Sequence, residues 1–249
     1  MAGFTHIERG HVEALVRAAL QRRGVKNSRC DCSGISSLKC PCENPCNISE
    51  TGAPSSVSPD LVVNSSARHM HISPESLAVL FGPGAELTVH KWLYQEGQFA
   101  SEQTVTLIGP RKRIIPNLRI LGPCRDLTQI ELSITDAVSL GMDVPVHMSG
   151  DIEGSPGAYV MGPKGMLEMK NGVIRAARHA HMSPDDAKFY GVKHLDFITL
   201  KVTAPNCNTR FDDILVRVDK SFKLEVHIDT DEANACDLAH ATKVELIKQ

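Results

Sequence analysis

The amino-acid sequence predicts a mainly β protein with short α-helices, arranged as two related β-barrels capped by helices and preceded by a detached amphipathic helix. Three observations predict this fold class. A motif with two histidines occurs once in each half of the chain. Short strand-like segments separated by glycine and proline turns are typical of small barrels. One helical pattern of apolar residues lies apart from these segments, near the N-terminus.

The composition limits the classes of function. A chain of 249 residues can form one or two domains with a sizeable core. Its formal net charge of -2 gives no reason to expect a nucleic-acid partner. No apolar run approaches the ~20 residues that span a membrane, and no apolar leader is evident. We therefore expect no membrane partner and a cytoplasmic location.

Residues 1–23 are predicted to be an amphipathic targeting segment, with its helix over residues 5–23. Thr5 and Glu8 have the spacing of a capping box. Apolar residues then recur at helical spacing, at Val12, Leu15, Val16, Ala19 and Leu20. Such a helix either packs against its own domain or docks onto another molecule. Its exposed apolar face would also favour a homo-oligomer.

Residues 24–57 are predicted to be a Cys-rich flexible linker, because small and polar residues dominate and no apolar period occurs. Five cysteines crowd into it: Cys30, Cys32, Cys40, Cys42 and Cys46. Clustered cysteines in a cytosolic protein indicate metal or redox chemistry more than disulfides. Their spacing is not the usual Cys-x-x-Cys, so a specific metal site and an incidental reactive linker both fit.

From residue 58 onward the sequence predicts strands and short helices. The clearest strand segments are residues 61–63, 86–90, 104–108, 197–202 and 214–218. The order of motifs is similar in residues 58–150 and in residues 151–249. We therefore expect these two ranges to form the first and second β-barrel halves.

The repeated motif reads Ala-Arg-His-x-His-x-Ser-Pro-acid at residues 67–75 and again at residues 177–185. Residues two apart in a strand point to the same face, so the imidazoles within each copy would converge as two metal ligands must. The Ser-Pro-acid that follows predicts the start of a helix. Gene duplication alone could also preserve such a motif for structural reasons.

A third ligand for each histidine pair is predicted on a later strand that leads into a capped helix. Matching Ile134 with Ile228 puts Glu131 and His227 on the same strand face, two positions apart. The resulting ligand sets are His69, His71 and Glu131, and His179, His181 and His227. Three protein ligands with one open position are typical of a catalytic metal, and two such sets could serve one two-metal site.

Three further features have a functional and a structural interpretation. Arg125, in a turn before the Glu131 strand, suits bidentate phosphate binding or is a solvated surface residue. The glycine-rich turn at residues 149–157 presents backbone N–H groups to an anion or is an ordinary connection, which we favour. Cys124 is more typical of a small buried residue than of a nucleophile.

These motifs resemble those of the phosphate propanoyltransferase family, the PduL-type phosphotransacylases of bacterial microcompartments. The resemblance covers residues 60–249 and extends to the N-terminal helix. It is carried by residues 66–73, 122–125, 135–137, 149–151, 177–184 and 227–235. Two features depart from the family: His147 stands where an arginine is expected, which would make anion binding weaker or pH-dependent, and the Cys-rich linker is not typical.

The resemblance implies two β-barrels with a two-zinc active site between them. It implies that one zinc is held by His69, His71 and Glu131 near the sulfur of coenzyme A. The other zinc would be held by His179, His181 and His227, with Arg125 in contact with phosphate. The N-terminal helix would be an encapsulation peptide, which binds shell proteins or other cargo and directs the enzyme into the compartment lumen. Propanediol degradation is the pathway that such a compartment would serve.

The function expected from these residues is reversible transfer of a propionyl or acetyl group between coenzyme A and phosphate. Neither a serine nor a cysteine nucleophile is required, although a covalent route through Cys124 is an alternative. A two-metal hydrolase of the thioesterase kind would show similar ligand sets. A third possibility is a metal-stabilised scaffold that docks its helix on a partner without turnover.

Overall fold

The structure is a computed structural model that describes residues 59–249. The predicted helix at residues 5–23 and the linker at residues 24–57, with its five cysteines, lie outside the described residues. None of the helices within residues 59–249 is long and apolar enough to cross a membrane.

The described chain contains many strands and few helices, which confirms the mainly β fold class. The strands are β1 (Val62–Ser66), β2 (His69–His71), β3 (Val89–Trp92), β4 (Phe99–Ile108), β5 (Ile114–Gly122), β6 (Gln129–Glu131), β7 (Val146–His147), β8 (Ala158–Met161), β9 (Met166–Met169), β10 (Val173–Ala176), β11 (His179–Met182), β12 (Phe197–Thr203), β13 (Thr209–Val218), β14 (Glu225–Asp229) and β15 (Lys243–Lys248). The helices are α1 (Pro74–Phe81), α2 (Ile134–Leu140), α3 (Pro184–Tyr190) and α4 (Thr230–Ala235), followed by a 3-10 turn at Leu238–His240.

All five predicted strand segments overlap strands of the structure, but the segment at residues 86–90 begins late. The backbone N–H of Thr88 donates to the side chain of Gln103, and that side chain donates back to the carbonyl oxygen of Glu86. A side chain therefore takes up hydrogen-bonding groups that a strand would offer to a neighbouring strand. Regular pairing starts only at Val89.

The strands form two curled half-barrel sheets, each with its own core. The first sheet has the strand order β7-β10-β6-β2-β5-β4-β8-β9, with β3 paired to β4. The second has the order β1-β14-β11-β13-β12-β15. Alternation along β2 and β11 directs Met70 and Ala180 into these cores, where they are fully buried. The histidines on either side of each core residue therefore share the opposite face.

Each strand that carries candidate ligands ends where a capped helix begins. The side chains of Ser73, Ser133, Ser183 and Asp229 accept hydrogen bonds from backbone N–H groups in the first turns of α1, α2, α3 and α4. These caps satisfy donors that a helix start leaves unpaired. The predicted helix starts at Ser73 and Ser183 are confirmed, and the caps fix the ends of β2, β6, β11 and β14.

The two sheets exchange one strand with each other. β1 precedes the first histidine pair but lies parallel to β14 of the second sheet, with Asn64 opposite His227. β10 precedes the second histidine pair but lies parallel to β6 of the first sheet, with Ile174 opposite Glu131. The exchange is reciprocal, because each crossing strand pairs beside a candidate ligand of the other sheet.

The strand pairing of both sheets crosses the predicted division of the chain at residue 150. The first sheet includes β8, β9 and β10, which come after residue 150, and the second sheet includes β1, which comes near residue 60. The turn between β8 and β9 also caps α1, because the N–H of Lys164 donates to the carbonyl oxygen of Leu80 at 3.0 Å. Long-range pairing, which a repeat in the sequence does not reveal, therefore sets the composition of each sheet.

We predict that Gly165→Ala destabilises the protein by about 1–3 kcal/mol, because overpacking a tight contact forces the backbone apart. A Cβ at residue 165 would lie 2.4 Å from the carbonyl oxygen of Val79. Urea unfolding should give a lower midpoint than that of wild type. The exposed Lys170→Ala in the same segment is the control and should change stability by less than about 0.5 kcal/mol. Equal midpoints for the two variants would contradict this packing.

Candidate active site

The first cluster of candidate ligands consists of His69, His71 and Glu131, and all three are buried. β2 and β6 are antiparallel neighbours, and His69 lies directly opposite Glu131. The Nε2 atom of His69 is 3.2 Å from Nε2 of His71 and 3.4 Å from Oε2 of Glu131. Two imidazole nitrogens and one carboxylate oxygen therefore converge on one point.

The second cluster consists of His179, His181 and His227. β11 and β14 are antiparallel neighbours, and His179 lies directly opposite His227, as His69 lies opposite Glu131. The possible ligand atoms of the three side chains lie within 4.8 Å of one another. The structure thus brings together each of the two ligand sets predicted from the sequence.

The register of the strands corrects the predicted alignment of the two third ligands. Matching Ile134 with Ile228 placed Glu131 and His227 two positions apart. In the structure the two residues are equivalent, because each lies opposite the first histidine of its pair. The helix caps Ser133 and Asp229 are equivalent as well, and each follows its ligand by two residues.

A backbone carbonyl group orients the first histidine of each pair. Nδ1 of His69 donates to the carbonyl oxygen of Ala67 at 2.8 Å, and Nδ1 of His179 donates to that of Ala177 at 2.9 Å. Because a carbonyl oxygen can only accept, each Nδ1 carries the proton and each Nε2 keeps its lone pair. This is the usual arrangement of a metal-binding histidine and its supporting hydrogen bond.

The pKa values of these imidazoles also suit metal binding. Burial, with the charge of His69 second, lowers the pKa of His71 to about 3. Burial and the neighbouring histidines lower the pKa of His181 to about 2, and burial and His227 lower that of His179 to about 4. These side chains are therefore neutral at pH 7, as metal coordination by nitrogen requires.

Three buried imidazole nitrogens have no hydrogen-bond partner among the described residues: Nδ1 of His71, Nδ1 of His181 and Nε2 of His227. Leaving a buried polar atom unpaired costs about 1–3 kcal/mol. Nε2 of His227 does lie 3.1 Å from Oε2 of Glu225, but at an angle that makes no hydrogen bond. A group from outside the chain, such as a metal ion or water, is the usual partner of such atoms. Both clusters therefore fit a divalent metal.

The carboxylate of the first cluster is held by Gln129. Burial alone would raise the pKa of Glu131, but the charges of His69 and His71 lower it by more, so the carboxyl group is ionised. Gln129 donates to Oε1 of Glu131 at 2.7 Å and accepts from the N–H of Gly150 at 2.7 Å. The side chain of Gln129 thereby ties the carboxylate to the turn that follows β7.

Arg125, the predicted phosphate contact, lies at the same turn. Its guanidinium donates to Oγ of Ser149 at 3.3 Å, and Gln129 donates to the same oxygen at 3.1 Å. Burial lowers the pKa of Arg125, while the charge of Glu131 raises it. The guanidinium is therefore partly desolvated and interacts electrostatically with Glu131 of the first cluster.

The glycine-rich turn at residues 149–157 directs several of its backbone donors inward. The N–H groups of Gly150, Asp151, Glu153 and Ser155 all donate to acceptors of the protein itself. These four donors are therefore not free to bind an anion, which favours the structural interpretation of this turn.

Glu225 occupies, beside the second cluster, the position that Gln129 occupies beside the first. It lies opposite His181, as Gln129 lies opposite His71. Its carboxylate accepts from Asn64 on the crossing strand and, at 2.6 Å, from Gln95 in the turn between β3 and β4. Burial opposes ionisation, but His227 and these donors lower the pKa of Glu225 to about 2. Glu225 was not predicted from the sequence, because matching Ile134 with Ile228 aligned β6 incorrectly with β14.

One cavity of about 20 Å³ borders both clusters. Glu131 of the first cluster lines it together with His179 and His227 of the second. The crossing strands also reach it, through Ser66 at the end of β1 and Ala176 at the end of β10. The reciprocal strand exchange therefore positions both clusters at the same cavity.

The sequence is also similar to those of known proteins. A model of the family "Phosphate propanoyltransferase" matches residues 62–239. The chain belongs to the phosphate propanoyltransferase family. It is therefore an enzyme of the acyltransferase class.

Individual phosphate propanoyltransferases are similar over most of their length. The protein of that name from Planctopirus limnophila is 50% identical over 245 residues, which cover 98% of this chain and 93% of the relative. The one from Thermotoga maritima is 51% identical, covering 72% of this chain and 85% of the relative. The one from Salmonella typhimurium is 44% identical, covering 71% and 84%.

Two residues singled out in the sequence of this phosphate propanoyltransferase lie in defined surroundings. His147 pairs on the surface with Asp151, through a hydrogen bond of 3.2 Å between Nδ1 and the carbonyl oxygen. Cys124 packs against the first core, and burial raises the pKa of its thiol. Cys124 is half-buried rather than fully buried, and a thiol that is protonated at pH 7 is a poor nucleophile.

We predict that His179→Ala removes roughly one metal ion per chain, because two remaining imidazoles are too few for a stable site. Metal content after zinc loading and desalting, measured by mass spectrometry, checks this. The control is His90→Ala, an exposed histidine paired with Glu102, which should keep the wild-type metal content. A full metal complement in the folded His179→Ala variant would disprove this ligand assignment.

Proposed function

We propose that this enzyme interconverts propionyl-CoA and phosphate with propionyl phosphate and coenzyme A, at a two-zinc site in the cavity between its two sheets. The observation that carries the proposal is that two candidate metal clusters of different charge border one cavity. Membership of the phosphate propanoyltransferase family supports the choice of acyl group and acceptor.

The difference in charge between the clusters suggests how the substrates are oriented. The first cluster contains a carboxylate, whereas the second contains only imidazoles. A phosphate dianion is repelled by Glu131 and suits the second cluster. The sulfur of coenzyme A carries less charge and suits the first cluster, where His69, His71 and Glu131 would hold one zinc.

The zinc ions would supply Lewis acidity toward the thioester carbonyl and toward the departing sulfur. The protein's own residues bind and orient the reactants. Arg125 offers N–H groups to the phosphate oxygens and fixes one oxygen for attack on the carbonyl carbon. The new C–O bond forms as the C–S bond breaks, and coenzyme A leaves as the thiolate.

We predict that thiol release from propionyl-CoA by the zinc-loaded protein requires phosphate and is matched by formation of propionyl phosphate. Acetyl-CoA run alongside measures the acyl preference. Arg125→Ala should raise the KM for phosphate by about 10- to 100-fold, since charge-assisted hydrogen bonds are lost. The exposed Arg113→Ala is the matched control and should leave it unchanged. Thiol release without phosphate would instead make the protein a thioesterase.

We also propose that the enzyme resides in the lumen of a bacterial microcompartment and is directed there by residues 5–23. The apolar period of this segment and its capping box support a helix that docks on a partner. The partner would be a shell protein or other cargo, bound through the apolar face.

Deletion of residues 1–23 should leave phosphate-dependent activity unchanged and abolish co-purification with shells. The expected loss follows from removal of the docking face, while the two clusters are untouched. Fluorescent-protein fusions of residues 1–23 test sufficiency, and a Leu15→Glu fusion is the control for the apolar face. Loss of folding on deletion would show that the segment packs on its own domain.

A further inference from the structure

We propose that Arg217 is a second arginine of the phosphate subsite, binding the anion at the second cluster together with Arg125. The identity of the anion rests on the function proposed above. The inference that an oxyanion binds Arg217 rests on the structure of the second sheet.

Arg217 lies on the cluster face of the second sheet. β13 runs parallel to β11, and Arg217 pairs with His181 in their register. Paired residues of neighbouring strands point to the same side of a sheet. The ring of Phe222 packs against both side chains, 4.3 Å from the ring of His181 and 6.0 Å from the guanidinium of Arg217.

Among the residues that the structure describes, no side chain or carbonyl group is hydrogen-bonded or ion-paired to the guanidinium of Arg217. Other arginines near the clusters do have such partners. Arg68 pairs with Asp136 at 2.7 Å, and Arg175 pairs with Asp229 at 2.6 Å. Arg217 is partly buried, and burial lowers its pKa, while the charge of Glu131 raises it. A desolvated guanidinium without an acceptor is unfavourable, so the fold holds it there for an acceptor that residues 59–249 do not supply.

Charged groups from both sheets act on the region of Arg217, among them the carboxylates of Glu131 and Glu225. The charge of Arg217 lowers the pKa of His179 and His181, next to burial and the other histidines. After burial and Glu131, it also acts on Arg125 of the other sheet and lowers that pKa. Two guanidinium groups, one from each sheet, therefore act on the same region. An anion with several oxygens would relieve their repulsion and satisfy the donors of both.

At the first cluster, the position equivalent to Arg217 holds a leucine. β5 runs parallel to β2 in the same way, and it places Leu121 opposite His71. Arg119 of β5 lies opposite His69, but its guanidinium already donates to the carbonyl oxygens of Ser101 and Glu102, at 2.8 and 3.2 Å. The cluster with a carboxylate thus has a leucine at this position, and the cluster without a carboxylate has Arg217. This difference matches an anion that binds at the second cluster rather than at the first.

The test measures inorganic phosphate binding to the zinc-loaded protein by isothermal titration calorimetry, without acyl-CoA. Arg217→Gln should raise the Kd by about 10- to 100-fold, as expected for lost hydrogen bonds to a charged group. Arg217→Lys keeps the charge but loses the planar fork, so its Kd should lie between those of Arg217→Gln and wild type. The metal content should stay unchanged. The KM for phosphate should rise with the Kd, while the KM for propionyl-CoA stays within about twofold.

The matched control is Arg210→Gln, an exposed arginine on the same strand whose partner is Asp212. It should leave phosphate binding unchanged. An unchanged phosphate Kd in folded Arg217→Gln and Arg217→Lys would overturn the inference. Loss of metal from both variants would also overturn it, because the role of Arg217 would then be to support His181 rather than to bind phosphate. If phosphate binding depends on Arg217 but no propionyl phosphate forms, the proposed function fails while the anion subsite stands.

Discussion

The reciprocal exchange of β1 and β10 is the constraint on which the rest of the structure depends. Each histidine pair is preceded by a strand that belongs to the opposite sheet. The chain must therefore cross between the sheets just before it reaches each candidate ligand. Backbone hydrogen bonds between β1 and β14, and between β10 and β6, hold the two crossing strands in place. The sheets therefore cannot separate without breaking hydrogen bonds beside Glu131 and His227. The shared cavity is a direct result of this topology.

Within this nearly symmetric frame, a few substitutions give the two clusters different chemistry. Equivalent positions hold Glu131 and His227, then Gln129 and Glu225, then Leu121 and Arg217. The backbone positions both clusters in the same way, while side-chain charge differentiates them. In the proposed reaction, this duplicated frame would bind the sulfur of coenzyme A at one cluster and phosphate at the other.

Much of the fold could be predicted from the sequence because its signals are local. Strand alternation and the Ser-Pro-acid caps predicted the placement of both histidine pairs, and the residues that complete the two clusters, Glu131 and His227, were also predicted. Their alignment was wrong by two residues because it matched apolar residues, whereas the equivalent features are the caps Ser133 and Asp229. These two residues differ in type but perform the same hydrogen bonding.

The remaining features depend on tertiary register, which the sequence does not reveal. Nothing near Arg217 in the chain indicates that it lies opposite His181, and nothing near Gln95 indicates that it reaches Glu225. The strands that cross the predicted boundary at residue 150 could not be foreseen for the same reason. Strand pairing between distant segments overrides a division that follows the repeat.

The exchange of strands also governs how the chain can fold as it is synthesised. Val62 emerges from the ribosome early, yet its partner Glu225 emerges near the end of translation. β1 must therefore wait with unpaired backbone groups until almost the whole enzyme is made. Topologies dominated by such distant pairing fold slowly and expose strand edges on the way. Completion of the active site is thus one of the last events in the biogenesis of this protein, so truncated chains released early would lack a complete second cluster.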